Sequence, residues 1–540
     1  MYRLRGYYDT GIARLTHDWD SLATGQEYLD PAHLYATDLN LFGRGSLYHL
    51  LCSARTRAGK DTLARWMTEP ASVDEARARA EAVRELWGRV DLREALAAAG
   101  PSKSADFSLQ TFRAWVDSAP PDFPVWAPAL AFLAAAATLV VPLAAWFKGS
   151  PQLLASPYFA VPVGVEAGFS LLFAPRVRAA LKWLALPSAE LPVVCQIVRI
   201  LEERRFQAPR LVALSDSLRR GHSPAGRALR RLLRLVGLLG ARDIAMFTLP
   251  SYFLLWGSQF SMAICRWRHR HGASMIAWLE AVGEFEALVS LATYAAEHPR
   301  DPFPQFREGG PLLEGQGIGH PLLDEAVCVH NDFRLDASAP FAVVSGSNMS
   351  GKSTFLRAIA LNAVLARMGA PVRCARLTLS KLDVGASILV HDSLAGGRSH
   401  FFAETERLRQ LIDAAGRAPL LYVVDEILMG TNSGDRRIAA EWVVRALAAR
   451  GAVGLISTHD LALTEIAFAP GIHGRNFHFA DTGDPSGLSF DYRLRPGVVE
   501  RSNALNIVRH LGIEPITAET SISPPRPPPP PPGTPLRSPA

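Results

Sequence analysis

Gly346-Ser347-Asn348-Met349-Ser350-Gly351-Lys352-Ser353-Thr354 follows directly on the apolar run Phe341-Ala342-Val343-Val344-Ser345. Together they read as a buried strand running into a phosphate-binding loop of the form G-x-x-x-x-G-K-[ST], with a helix expected to start at the lysine. Each position has a physical task. Gly346 and Gly351 let the backbone turn, so that the N–H groups of the loop, Asn348 and Met349 included, converge on an anion. Lys352 reaches the β/γ-phosphates, and the Ser353 hydroxyl, with Thr354 beside it, can ligate Mg²⁺. The stretch predicts a nucleotide-binding α/β unit in the C-terminal third of the chain.

A loop of this kind needs partners from neighbouring strands, and two follow. The run Leu420-Leu-Tyr-Val-Val424 ends in Asp425-Glu426, where Asp425 is placed to hold the Mg²⁺ shell and Glu426 to polarise an attacking water. The run Ala452-Val-Gly-Leu-Ile456 ends in Ser457-Thr458-His459-Asp460. An Asp-Glu pair is common on surfaces and a lone histidine is more often structural. Position at the carboxyl ends of short buried strands tips both toward function, with His459 able to sense the γ-phosphate. Upstream, the loop-forming stretch 298–319 leads into strands expected around Val327 to Phe333 and Phe341 to Ser345, where the α/β unit starts.

The rest of the chain differs in character. At 540 residues, 49% hydrophobic and 20% charged, it is long enough for three or four units with sizeable cores. The net charge of +6 permits an anionic partner, DNA or a lipid surface, without requiring one. Cys52, Cys195, Cys265, Cys328 and Cys374 lie far apart without C-x-x-C spacing, which argues against a zinc site or disulfide framework and suits a reducing compartment. The first residues lack the apolar core of a signal peptide. Residues 38–100 read as amphipathic helices, with Leu63, Trp66, Met67 and Val83, Leu86, Trp87 spaced three and four apart.

Val125 to Phe147 carries no charge, and after Lys148-Gly-Ser-Pro-Gln152 a second apolar stretch runs from Leu153 to Phe173. About 20 helical residues cross a ~30 Å hydrocarbon core, so the pair reads as a transmembrane hairpin; two buried core helices are the alternative. Glu166 in the second run must then face its partner helix or be neutral. Arg176, Arg178 and Lys182 follow the hairpin while only Lys148 lies in its linker, which places both ends in the cytoplasm. A third uncharged run, 244–265, is richer in polar residues and is read as buried soluble helix, with a third membrane span as the alternative. Between them, 191–242 is helical with basic faces (Arg204-Arg205, Arg219-Arg220, Arg227 to Arg231), continued by Arg266 to His271. Such faces are solvated surface or phosphate contacts. The tail from Ser523, with its run of prolines, is expected to be extended and solvated.

Four motifs together resemble the ATPase domain of the MutS DNA mismatch repair family. They are Gly346-Ser-Asn-Met-Ser-Gly-Lys-Ser-Thr-Phe-Leu-Arg357, Asp392-Ser-Leu-Ala-Gly-Gly-Arg-Ser-His-Phe-Phe-Ala-Glu404, Val424-Asp-Glu-Ile-Leu-Met-Gly-Thr-Asn432 and Ser457-Thr-His459. The likeness extends upstream to Gly319-His-Pro-Leu-Leu323 with Asn331-Asp332, and to Gly45-Ser-Leu-Tyr-His-Leu-Leu51 through Trp66-Met-Thr-Glu-Pro70. Downstream it includes Tyr492-Arg-Leu-Arg-Pro-Gly497 with 502–512.

The resemblance implies an all-α helical core and lever followed by an α/β P-loop (ABC-like) ATPase domain, and the transmembrane hairpin read above interrupts that core, a departure from the soluble repair proteins of the family; the expected architecture is therefore mixed. The expected units are an N-terminal segment 1–37, first core part 38–124, hairpin 125–175, second core and lever part 176–305, ATPase 306–515 and Pro-rich tail 516–540. It also implies Mg²⁺-dependent ATP hydrolysis in a homodimer with composite sites, where Gly397, Arg398 and Ser399 of one subunit reach the γ-phosphate held by the other, and DNA as a partner. Two departures, Ser347 where the family usually has proline and Ser393 where it has an acidic residue, leave nucleotide binding intact, because the loop works through backbone N–H groups and Lys352. Mismatch readers of the family begin with a domain carrying a Phe-x-Glu wedge, whereas this sequence starts almost directly at the helical core. The expected function is a membrane-associated ATPase of mismatch-repair type acting on DNA or a DNA-associated partner from the cytoplasmic side, with a soluble cytoplasmic protein as the alternative. A transporter-type ATPase half is disfavoured because Gly396-Gly-Arg-Ser-His400 stands where such proteins carry Leu-Ser-Gly-Gly-Gln. A membrane scaffold using ATP as a switch is the third reading.

Overall fold

The computed structural model describes residues 2–99, 113–114, 117–118, 121–182, 191–220, 223–241, 245–347, 349–389, 400–429, 431–481 and 490–499. The N-terminal part is helical: α1 (Tyr2–Leu15), α2 (Leu47–Leu51), α3 (Arg57–Thr68), α4 (Val73–Trp87) and α5 (Val90–Ala97). Three of these starts are set by a hydroxyl at the N-cap, Ser46 for α2, Thr56 for α3 and Ser72 for α4, each accepting from the N–H three residues on. Then come α6 (Ala127–Lys148), α7 (Pro157–Lys182), α8 (Leu191–Glu203), α9 (Pro209–Arg219), α10 (Ala225–Gly240), α11 (Ala245–Phe253) and α12 (Trp256–Glu297). At 42 residues α12 is the spine of this half, packed against α3, α4, α8, α9 and α10. It approaches α3 closely because Gly283 has no side chain; a Cβ there would lie 2.6 Å from the Ala58 carbonyl oxygen.

Helices α6 and α7 form the hairpin expected from the sequence, joined through a short 3₁₀ turn at Pro151–Ala155, and both are long and apolar enough to cross a membrane by length and composition. The second helix starts later than its apolar run and continues past Phe173 to Lys182. The pair is not a buried core: Trp146 is 83% and Leu171 80% exposed, and Phe132, Leu133, Val140 and Leu143 also face outward. Against the rest of the protein the hairpin packs at its base, where Ala127, Ala131, Phe169 and Phe173 meet Leu255 and Met262. Glu166 points inward and is buried against the first helix beside Thr138.

The run 244–265 departs from its reading as one buried helix. Pro250 lies within the nine-residue α11, the chain turns at Leu255 (φ 46°), and α12 starts at Trp256. The second half joins the core through Leu255, Ser261, Met262 and Ile264, while α11 leaves Met246, Tyr252 and Phe253 in the open.

The C-terminal half is built on two sheets. Strands β1 (Gln305–Phe306), β2 (Leu312–Ile318), β3 (Asn331–Asp336) and β5 (Arg376–Leu379) form a four-stranded sheet in the order β1-β5-β2-β3. Strands β4 (Phe341–Ser345), β6 (Asp383–Ser387), β7 (Leu420–Val424), β8 (Val453–Thr458), β9 (Gly474–Asp481) and β10 (Phe490–Pro496) form a six-stranded sheet in the order β10-β9-β4-β8-β7-β6, parallel except for the β9–β10 pair. The strand expected from Val327 begins only at Asn331, because Asp324 turns the chain: its carboxylate accepts from Ala326 N–H and its carbonyl from Cys328 N–H.

Helices α13 (Lys352–Met368), α14 (His400–Ala415) and α15 (Ser433–Ala448) flank the larger sheet. Nearly every residue of α13 is buried, which fits its apolar circumference and its place between the sheet and α3 and α4 of the helical half. Asp38 ties the halves together. Its carboxylate accepts from the N–H groups of Ile388 (2.6 Å) and Leu389 (2.8 Å) and pairs with Arg407 (2.7 Å), while its carbonyl accepts from Arg357 on α13.

Candidate nucleotide site

Register in the parallel sheet decides where the motifs meet. Ser345 pairs with Thr458, and Ser387 with Val424, so the loop after β4, Asp425-Glu426 after β7 and His459 after β8 all leave the sheet at its carboxyl edge. The loop from Met349 to Thr354, Glu426 and His459 therefore line one cavity of about 740 Å³, within the range of small-molecule sites.

The loop has the backbone that its glycines permit. Gly346 has φ 151°, Met349 φ 68° and Gly351 φ 98°. A Cβ on Gly346 would lie 2.9 Å from both the Phe479 carbonyl oxygen and the Ser350 hydroxyl, and one on Gly351 would lie 3.0 Å from the Tyr492 ring. The cradle has no room for side chains at these two positions, as close approach of a phosphate to backbone requires. Lys352 is buried at the start of α13, its ammonium donating to the carbonyls of Gly346 and Ser347 (both 2.9 Å) and lying 3.5 Å from a Glu426 oxygen. Ser353 is half-buried and Thr354 exposed on the first turn of α13, both lining the cavity.

The acidic pair divides into two roles by geometry. Asp425 is fixed from both sides: its N–H donates to the Ser387 carbonyl (2.8 Å) and its carboxylate accepts from the Ser457 hydroxyl. The same Ser457 oxygen accepts from the Glu426 N–H (3.0 Å), so one hydroxyl ties the two acidic residues to β8. Glu426 (φ 52°) and Leu428 (φ 55°) both take the left-handed conformation, a strained turn for non-glycine residues. That turn is held by Glu404, which accepts from Leu428 N–H, and by Arg436, which donates to the Ile427 carbonyl (2.7 Å). The turn aims Glu426 into the cavity, 2.6 Å from His459 Nδ1 and 3.8 Å from Arg436.

Sequence reasoning found Glu426, His459 and Lys352 but not their mutual contact, and it assigned no role to Arg436, Glu404 or Ser457. Ser457 was within reach as part of the Ser457-Thr-His459 motif. Nothing in the sequence distinguishes Arg436, four residues past the N-cap Asn432, from the neighbouring Arg437. The far wall of the cavity, with His320, Val327, Cys328, Asn331, Phe479 and Tyr492, was also missed as a binding wall. Asn331 bridges to β10 there, donating to the Tyr492 carbonyl (3.0 Å) and accepting from Leu494 N–H (2.7 Å). Burial, with the Arg357 charge nearby, pushes the His320 imidazole down to about 4, so the wall is uncharged at neutral pH. Asn348 and the trans segment Gly397, Arg398 and Ser399 lie outside the described residues.

Two hard oxygen donors, Ser353 and Asp425, are present for a divalent cation, and among the described residues no group of three or more His, Cys, Asp or Glu surrounds one. That set suits Mg²⁺, which is held by one or two protein oxygens with the remaining positions taken by phosphate and water, and does not suit zinc.

Residues 342–520 match the MutS domain V family. Among curated proteins, the DNA mismatch repair protein MutS of Natronomonas pharaonis is 38% identical over 247 residues, 43% of this chain and 27% of that protein. MutS 2 of Halobacterium salinarum is 34% identical over 251 residues, 45% of this chain and 28% of that protein. MutS of Thermotoga petrophila is 29% identical over 254 residues, 46% of this chain and 31% of that protein. The chain thus spans only about a quarter to a third of the length of the curated relatives it matches.

Proposed function

We propose, on the premise that this chain belongs to the MutS family through its domain V, that it binds and hydrolyses ATP and passes the nucleotide state to its helical half, anchored in a membrane by the α6–α7 hairpin. The observation that carries the reading is the convergence of Lys352, Glu426 and His459 on one cavity, with Asp425 tied to Glu426 through the single hydroxyl of Ser457. Mg²⁺, held by Ser353 and Asp425 together with the phosphates, would neutralise charge on the leaving phosphate oxygens. Lys352 exchanges the loop carbonyls for β/γ-phosphate oxygens. Glu426 takes a proton from the attacking water, and His459, hydrogen-bonded to it, orients the carboxylate and senses the γ-phosphate. Arg436 and Glu404 keep the turn that aims Glu426.

Gly397, Arg398 and Ser399 complete the site of a partner copy, so the active form is a homodimer. DNA is the partner of the helical half, in keeping with relatives that are DNA mismatch repair proteins. In this reading the ATPase lies on the cytoplasmic side; Arg176 and Arg178 at the base of the hairpin against Lys148 alone in its turn support it.

Steady-state ATP turnover of the full chain in detergent or nanodiscs tests the site. Lys352→Ala should abolish it, and unchanged turnover would remove the assignment. Mixing Lys352→Ala subunits with Ser399→Ala subunits should restore part of the activity if sites are composite; no restoration argues for sites complete within one subunit. Salt-dependent fluorescence anisotropy with labelled duplex tests the DNA arm, since phosphate contacts release counterions.

A further inference from the structure

The hairpin does not account for all of the apolar surface on its side of the molecule. Helix α10 is divided along its length. Arg227, Arg230, Arg231 and Arg234 are all exposed, none in an ion pair among the described residues, and no charge follows from Leu235 to Gly240. It runs antiparallel to α12: Trp267 donates its indole N–H to the Ala228 carbonyl (2.9 Å) and Trp256 to the Leu238 carbonyl (2.6 Å). The first turn of α12 is in turn sealed to the hairpin base, Leu255 and Met262 against Ala127, Ala131, Phe169 and Phe173. Helix α11 packs on α6. The uncharged end of α10, all of α11 and the start of α12 therefore stand level with the point where the hairpin leaves the body of the protein.

At that level Met246 is 89% and Tyr252 71% exposed, with Leu238 and Phe253 beside them. Nine residues of α11 reach only about 14 Å, half or less of a hydrocarbon core, so this corner cannot cross a bilayer. The arginines begin about 6 Å back from Leu238, at Arg234, and continue to about 17 Å at Arg227, at 1.5 Å per residue. An apolar, aromatic tip with a basic collar a few ångströms behind it has the layering of acyl chains under phosphates. A DNA duplex would match the arginines but would leave Met246, Tyr252 and Phe253 against water.

We propose that the corner formed by α10, α11 and α12 is a wedge that enters one leaflet beside the hairpin, with Arg227, Arg230, Arg231 and Arg234 binding the phosphates of anionic phospholipids. The proposal rests on the membrane reading of the hairpin. The test is to reconstitute the full chain in nanodiscs containing a photoactivatable acyl-diazirine phospholipid, with phosphatidylcholine alone or with added phosphatidylglycerol, and to map cross-linked peptides by mass spectrometry. Cross-links are expected in α6 and α7 and also at Met246, Tyr252 and Phe253. The α11 yield should rise several-fold with phosphatidylglycerol, and an R230Q/R231Q/R234Q variant with unchanged ATP turnover should lose that rise. Cross-links confined to α6 and α7 overturn the wedge and leave the hairpin reading standing, whereas cross-links nowhere overturn both. An arginine variant whose cross-linking is unchanged while its DNA affinity falls reassigns the collar to nucleic acid and overturns the lipid proposal.

Discussion

Replacing Glu426 by glutamine keeps the shape of the side chain and removes both its charge and its ability to take a proton. In the structure that carboxylate lies 3.5 Å from the Lys352 ammonium and 2.6 Å from His459 Nδ1. A positioned general base contributes about 10²–10⁴-fold, so kcat should fall by that factor, about 3 to 5 kcal/mol of barrier. ATP binding should not fall with it. The Lys352–Glu426 attraction amounts to about 5 kcal/mol at 3.5 Å and an effective dielectric of about 20, and its removal frees the ammonium for phosphate. The assay is single-turnover hydrolysis of γ-labelled ATP beside equilibrium binding of a fluorescent ATP analogue, with wild type and Glu426→Gln in the same detergent. Tight binding with lost hydrolysis is expected. Wild-type turnover would show that Glu426 does not activate water, and binding and turnover lost together would show that it holds the loop instead.

Three further outcomes follow from particular contacts. Gly346→Ala places a methyl 2.9 Å from the backbone oxygen of Phe479 at φ 151°; it should cost about 1–3 kcal/mol and abolish binding of the fluorescent analogue, and retained binding would sink the cradle geometry. Asp38→Ala leaves the largely buried Arg407 without its partner and frees the N–H groups of Ile388 and Leu389. It should lower stability by about 3–5 kcal/mol, read as a drop in Tm that Asp38→Asn reverses only in part. His320 has its folded pKa lowered to about 4 by burial, below the unfolded value, so the unfolded chain binds the extra proton between those pH values. Stability contributed by this residue is therefore complete above about pH 6.5 and is lost as pH falls toward 4, by at most about 3 kcal/mol. Thermal unfolding at pH 5 and pH 7 should show a smaller difference for His320→Asn than for wild type, and equal differences would refute it.

The α/β half was legible because its signals are local. A short apolar run followed by a glycine-rich turn, or by Asp-Glu, specifies a buried parallel strand and what stands at its end, and β4, β7 and β8 lie where those runs are. The strand expected from Val327 starts later because the Asp324 turn competes for the same residues. The run 244–265 misled for a related reason: absence of charge describes an exposed apolar surface as well as a core, and Pro250 with the turn at Leu255 splits it into one part of each kind. The arginine that supports the site, Arg436, carries no local pattern, and Glu404, though it closes the Asp392–Glu404 motif, gives no sign of its partner, since what recruits both is the backbone of the turn at Ile427 and Leu428.

By itself the sequence determined that a glycine-rich loop of the G-x-x-x-x-G-K-[ST] form stands at the end of a buried strand and that Asp425, Glu426 and His459 follow others, because strand, glycine turn and helix start are set by residues within a few positions of one another. Only the tertiary structure decided that Ser457 joins Asp425 to Glu426, that His459 touches Glu426, that Asp38 fastens the helical half to the segment before 390, and that α11 faces outward beside the hairpin. These contacts join residues tens to hundreds of positions apart. They depend on strand order, register and the packing of α12, which no short window of sequence contains.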